Sequence, residues 1–253
     1  MLPDAAAPEG VRLYVVGDVH GCLDRLHAVE ALIEGDLAAD PPAAFQTVML
    51  GDYIDRGPDS RGVLAWLVGQ AERLRLVALK GNHEDMLEAF LADPDGPALP
   101  LWMTNGGQAT VASFDLGDML GHDGALRIGP AALRDRLRAE LDGPLEGVLD
   151  RLRLSARFGD YLFVHAGVRP GVPLEAQAAE DLVWIREPFL GSGADHGAVV
   201  VHGHTPTREV VVRRNRIGLD TGAVFGGTLS CLVLEGRERW LLREGGRAPF
   251  PTP

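Results

Sequence analysis

A chain of 253 residues that is 46% apolar and 24% charged can bury one sizeable core, so a single domain spanning residues 1–253 is expected. Its 36 acidic against 24 basic residues leave a formal charge of −12, which disfavours nucleic acid polymers and anionic membranes as partners. Two cysteines, Cys22 and Cys231, exclude a disulfide scaffold, and the start Met1-Leu2-Pro3-Asp4 lacks the pattern of an export signal; both point to the cytoplasm.

In chain order, the apolar run Val11 to Val16 predicts a strand that ends at Gly17-Asp18-Val19-His20-Gly21, followed by helical spacing through Leu23, Leu26, Glu30 and Ile33. The pattern repeats. Thr47 to Leu50 runs into Gly51-Asp52-Tyr53-Ile54-Asp55-Arg56-Gly57 and a helix over about Ser60 to Arg73, and Leu76 to Leu79 meets Gly81-Asn82-His83-Glu84. This is βαβ spacing, with each polar cluster at the end of a strand where ligands gather in open α/β sheets. Residues 98–151 carry helical stretches broken by glycine and proline and are expected to form a helical cap or insertion.

The second half turns to strands. Tyr161 to Val164 precedes His165-Ala166-Gly167, and Ala198 to Val201 precedes His202-Gly203-His204-Thr205; further runs near 209–213, 229–234 and 239–242 suggest antiparallel pairing. Gly226-Gly227 reads as a hairpin turn between two of these runs. The expected fold is α/β: a β-sandwich of two mixed sheets flanked by helices, with the helical insertion.

Asp18 and His20, two residues apart in an extended segment, can point to one side and clamp a cation. Asp52, Asn82, His165 and His204 each sit just past another apolar run, completing an oxygen and imidazole ligand set without thiolates. That chemistry suits divalent ions such as manganese, iron or zinc. The five clusters, taken in order, resemble the phosphoprotein phosphatase branch of the calcineurin-like metallophosphoesterases, especially bacterial and bacteriophage lambda-type serine/threonine phosphatases. The matching motifs span Gly17 to about Thr221, most of the chain.

The resemblance implies two divalent metal ions, manganese foremost, with Asp18, His20 and Asp52 on the first and Asp52, Asn82, His165 and His204 on the second. It implies hydrolysis of phosphomonoesters by in-line attack of a metal-bridging hydroxide. His83 then matches the family's general acid, Asp55 orients its ring, and Arg56 and Arg186 hold phosphate. Phosphorylated proteins or peptides are the implied substrates. A dinucleoside-polyphosphate hydrolase or other nucleotide phosphatase shares nearly all these ligands and stands as the alternative, and an inactive phosphate-binding regulator stands last.

Two departures are informative. Pro206 occupies the final place of the Gly-His-x-His pattern found in wider calcineurin-like enzymes, which favours the phosphoprotein branch over phosphodiesterases. Cys231 to Arg237 fits the cysteine-to-arginine spacing of thiol phosphatases, but Leu232-Val233-Leu234 reads as a buried strand and not as a phosphate cradle. His202 is expected beside the site rather than on a metal, and Asp220-Thr221-Gly222 is expected to shape the floor near the site.

Overall fold

The computed structural model describes residues 2–121 and 123–251. Strand β1 (Val11–Val16) lies centrally in a six-stranded sheet, parallel to β2 (Ala44–Met49), which is in turn parallel to β3 (Leu76–Ala78). On the other side of β1 the sheet continues antiparallel through β9 (Cys231–Glu235), β10 (Glu238–Arg243) and β11 (Gly246–Pro249). The second sheet has five strands in the order β4 (Ser155–Phe158), β5 (Tyr161–Val164), β6 (Val199–His202), β8 (Arg216–Gly218) and β7 (Val211–Val212). Strands β5, β6 and β8 run parallel, with antiparallel β4 and β7 at the edges. Both sheets are therefore mixed, as the order of sequence runs suggested.

The two-residue alternation of a strand sorts the core. Leu13 and Val15 of β1, Val48 of β2, and Leu232 and Leu234 of β9 meet Tyr161, Phe163, Val199 and Val201 between the sheets. Their neighbours Tyr14, Val16, Met49, Cys231 and Val233 face outward onto helices α1 (Leu23–Ala39), α2 (Ser60–Gln70) and α3 (Asn82–Ala92). Strands buried on both faces read as mostly apolar runs, which is why β1 and β5 lie where the sequence places them.

Residues 98–151 contain α4 (Ala98–Trp102), a wide turn over Met103–Gly107, α5 (Gln108–Ser113) and α6 (Pro130–Leu141). These helices pack on α2 and α3, contributing Trp102, Val111, Phe114, Leu133 and Leu137 to the core on that side. The last helix, α7 (Ala179–Trp184), covers the second sheet with Leu182 and Val183, joined by Phe189 from the stretch that follows. Among the described residues no helix is long and apolar enough to cross a membrane.

Two sequence expectations need correction. Strands β4, β8 and β11 were not anticipated. Gly226-Gly227 is not a hairpin turn: it closes a helical turn at Ala223–Phe225 on the link from β8 in one sheet to β9 in the other. The Gly227 N–H donates to Gly222 O, so the link loops back on itself instead of joining paired strands.

Candidate metal centre

Five parallel strands deliver polar residues to one rim. Asp18 and His20 follow β1, Asp52 follows β2, Asn82 opens α3 after β3, His165 follows β5, and His204 follows β6. All six are buried. His20, Asp52, Asp55, Arg56 and His204 adopt positive φ, from 46° to 73°, a region non-glycine residues rarely occupy. Such strain persists only where surrounding contacts over-determine it, and it is concentrated here.

The Asp52 carboxylate is the hub. Its Oδ2 lies 3.4 Å from His20 Nε2 and 3.9 Å from His83 Nε2, while Oδ1 lies 3.3 Å from His165 Nε2. Two groups of ligand atoms, each within 4.8 Å of one another, consequently share Asp52: His20, Asp52 and His83, and Asp52, His165 and His204. Asn82 belongs with the second, its Oδ1 being 3.0 Å from His165 Nε2 and 2.8 Å from His204 Nδ1. Asp18 accepts the His204 backbone N–H through Oδ2 at 2.9 Å, leaving Oδ1 buried without a hydrogen-bond partner. The chain must come very close to these carboxylates. A Cβ on Gly81 would stand 2.1 Å from Asp52 Oδ1, so only glycine fits there.

Backbone carbonyls set the ring tautomers. His20 Nδ1 donates to Ile54 O at 2.9 Å and His165 Nδ1 to Leu50 O at 2.8 Å, which turns each Nε2 toward Asp52. Fixing one ring nitrogen this way readies the other as a ligand. Burial pulls His20 down to about 3, and burial followed by the neighbouring His165 does the same to His204, so both rings are neutral. Burial also opposes charge on His165, but Asp52 outweighs it and raises that ring to about 10.

Carboxyl groups crowd the rim. Burial, then Asp220, pushes the Asp18 carboxyl well above its usual range, and burial also raises Asp220. Buried carboxyl groups, the neutral imidazoles of His20 and His204, and the unpartnered Asp18 Oδ1 form a donor set of the kind hard or borderline divalent cations take. The residues present fit such ions.

Residues 11–231 match the family model described as calcineurin-like phosphoesterase. The chain belongs to this family. It is a metallophosphoesterase, an enzyme class that works with a dinuclear metal centre. The serine/threonine-protein phosphatase 1 of Salmonella typhimurium is 33% identical over 233 residues, covering 86% of this chain and 89% of the relative. The asymmetrical bis(5'-nucleosyl)-tetraphosphatase PrpE of Anoxybacillus flavithermus is 26% identical over 241 residues, covering 86% and 88%. The crystal structure of a cold-active protein-tyrosine phosphatase from a psychrophilic Shewanella superposes with a TM-score of 0.58 at 17% identity, over 98% of this chain and 82% of that one, a likeness of fold.

Beside the metallophosphoesterase rim, His83 Nδ1 donates to Asp55 Oδ2 at 2.6 Å, and its buried Nε2 has no partner. Arg56 donates from Nη1 to His20 Nε2 at 2.7 Å, and its guanidinium lies 5.6 Å from the centre of the exposed Phe225 ring. Arg186 is exposed just after α7, close enough that its charge helps keep His204 unprotonated. His202 stays apart: it is buried, donates from Nδ1 to Gly203 O and packs edge-on against Phe189. Asp220 does lie by the site, where it adds to the field on Asp18, and its Oδ1 accepts the Gly222 N–H at 3.0 Å.

Glu84 was given no role by sequence. Its carboxylate, fully buried, accepts backbone N–H groups from Asp52, Tyr53, Ile54 and Gly81 at 2.8–3.2 Å, pinning the turn that presents Asp52. Its place two residues after Asn82 was a signal in plain view, because an acidic residue at the third position of a helix can reach back to free N–H groups.

Proposed function

We propose that this metallophosphoesterase is a serine/threonine protein phosphatase, and that two divalent cations, manganese foremost, are held by Asp18, His20, Asp52, Asn82, His165 and His204. When bound, such ions supply Lewis acidity toward phosphoryl oxygens and acidify water for in-line attack on phosphorus. The chain's own groups do the rest. Arg56 and Arg186 bind and orient the phosphoryl oxygens, and their permanent charge suits a dianion better than a titratable group would. His83 delivers a proton from Nε2 to the departing oxygen, while Asp55 holds the opposite nitrogen at 2.6 Å.

The observation that carries this reading is the Asp55–His83 pair. A serine alkoxide needs a proton as it leaves, whereas a nucleotide phosphate departs as a stable anion, so an oriented acid serves the former more. The ligand distances alone would also allow His83 on the first ion in place of Asp18. The Asp55 contact on Nδ1 suits either role, and the assignment to proton delivery rests on the likeness of Asn82-His83 to the family's motif. His83→Asn should then retain two ions per chain; a drop to one would move His83 to the ligand set.

The tetraphosphatase reading has its own support, since relatives of similar coverage carry that name. Nucleotides are therefore the second candidate substrates. The deciding assay compares kcat/KM of the manganese-loaded enzyme on phosphoserine and phosphothreonine peptides with that on diadenosine tetraphosphate. The proposal requires the peptides to be preferred; a preference for the dinucleotide with little peptide turnover would replace it. We also place the enzyme in the cytoplasm, on the support of two buried, free cysteines.

A further inference from the structure

We infer that Trp102 and Thr110, from the helical segment between α3 and β4, are positioning residues that aim the Asp55–His83 pair; the inference rests on the proposed role of His83 in proton delivery. The Asp55 carboxylate has no freedom left. Its Oδ2 accepts His83 Nδ1 at 2.6 Å, its Oδ1 accepts the Thr110 hydroxyl at 2.6 Å, and the Trp102 indole N–H bridges both oxygens at 3.0 Å. Thr110 Oγ1 also accepts the Asp55 backbone N–H at 2.9 Å, so one threonine grips both ends of the residue. Asp55, His83, Trp102 and Thr110 are each fully buried, where an aligned network is stiff and a missing partner is costly.

The segment is shaped to make these contacts. Trp102 closes α4 and stacks on Phe90 of α3, the helix that carries His83, with ring centres 5.4 Å apart. The chain then turns through Met103–Gly107 directly against the indole, where a Cβ on Gly107 would lie 2.7 Å from the ring. Gly106 O accepts the Arg56 N–H at 3.2 Å, and α5 returns to deliver Thr110. One stretch of nine residues thereby holds Asp55 and Arg56, both at positive φ. A helical insertion that only widened the core would not need its two polar side chains spent on a single carboxylate.

The test uses Thr110→Val, which keeps shape and removes the hydroxyl, and Trp102→Phe, which removes the indole N–H while keeping an aromatic ring, with Thr110→Ser restoring the hydroxyl. Turnover of a phosphoserine peptide and of 4-nitrophenyl phosphate is measured under conditions where chemistry limits both. General-acid assistance spans about 10²–10⁴-fold, so a misaimed His83 should cost roughly 10-fold or more on the alkyl ester and less than about 3-fold on the aryl ester. Thr110→Ser should restore the ratio, and Thr110→Val added to His83→Asn should leave it unchanged. In the metal-free protein, exchange of the His83 Nδ1 proton followed by NMR should quicken by roughly 10-fold in Thr110→Val and Trp102→Phe but not in Thr110→Ser, reporting the same loosening without turnover. Equal losses on both esters, with His83→Asn still discriminating between them, would overturn the positioning role. Equal losses in His83→Asn itself would overturn the acid role of His83 and this inference with it.

Discussion

Glu84→Gln is the substitution whose cost can be worked most directly from the contacts. Glu84 Oε1 accepts the N–H groups of Tyr53 and Ile54, and Oε2 those of Asp52 and Gly81. Glutamine keeps the volume but turns one oxygen into an N–H₂ donor, so two buried N–H groups lose their acceptor and face a donor. Each unsatisfied buried donor costs about 1–3 kcal/mol, giving a loss of roughly 2–6 kcal/mol. For a chain of this size that is a Tm lower by roughly 5–20 °C. Because the affected donors belong to the turn carrying Asp52, metal affinity should fall with Tm, and kcat should fall at fixed manganese. Differential scanning calorimetry with and without manganese, paired with an ion titration, reads both. A variant that melts at the wild-type temperature and binds ions normally would mean that Glu84 does not hold the turn.

Chelating divalent metal should abolish turnover and manganese should restore it, while Asp52→Asn should lower turnover by more than about 100-fold and reduce the ions counted per chain by metal analysis. Cys231→Ser should keep most of its activity, because burial pushes the Cys231 thiol well above its usual range and leaves no thiolate to attack phosphorus; an inactive but folded variant would reopen that route. Far from the metal rim, burial would raise the Asp36 carboxyl, but Arg247, Tyr14 and Arg12 hold it below the usual carboxylate range. Asp36→Asn should therefore lower stability in urea unfolding. That gap should be full above about pH 4 and close as the pH falls through the lowered value, so a gap that persisted in stronger acid would contradict the assignment.

What the sequence reveals about this protein, and what it hides, divides by the range of the interaction. Strands β1 and β5 were legible to the residue because both their faces are buried, and a short, mostly apolar run that ends at a polar cluster has few other uses. The rim residues were legible because each follows such a run, so finding the strand ends locates Asp18, Asp52 and His165. Strand β4, with alternate residues exposed, and β8, three residues that begin with Arg216, carry too little apolar signal to register and exist because a neighbouring strand offers them partners. The same logic hid Trp102 and Thr110. In sequence they are an aromatic and a hydroxyl in an irregular helical stretch, 47 and 55 residues beyond Asp55, and nothing local distinguishes them from core filling. Their meaning comes only from folding α4 and α5 over α2 and α3, which brings both donors onto one carboxylate. The proposed ligand set could thus be drawn from motifs, while the contacts that hold Asp55 come only from the tertiary fold. Substitutions in residues 102–110 are accordingly expected to alter the response to leaving groups while the metal ligands stay untouched.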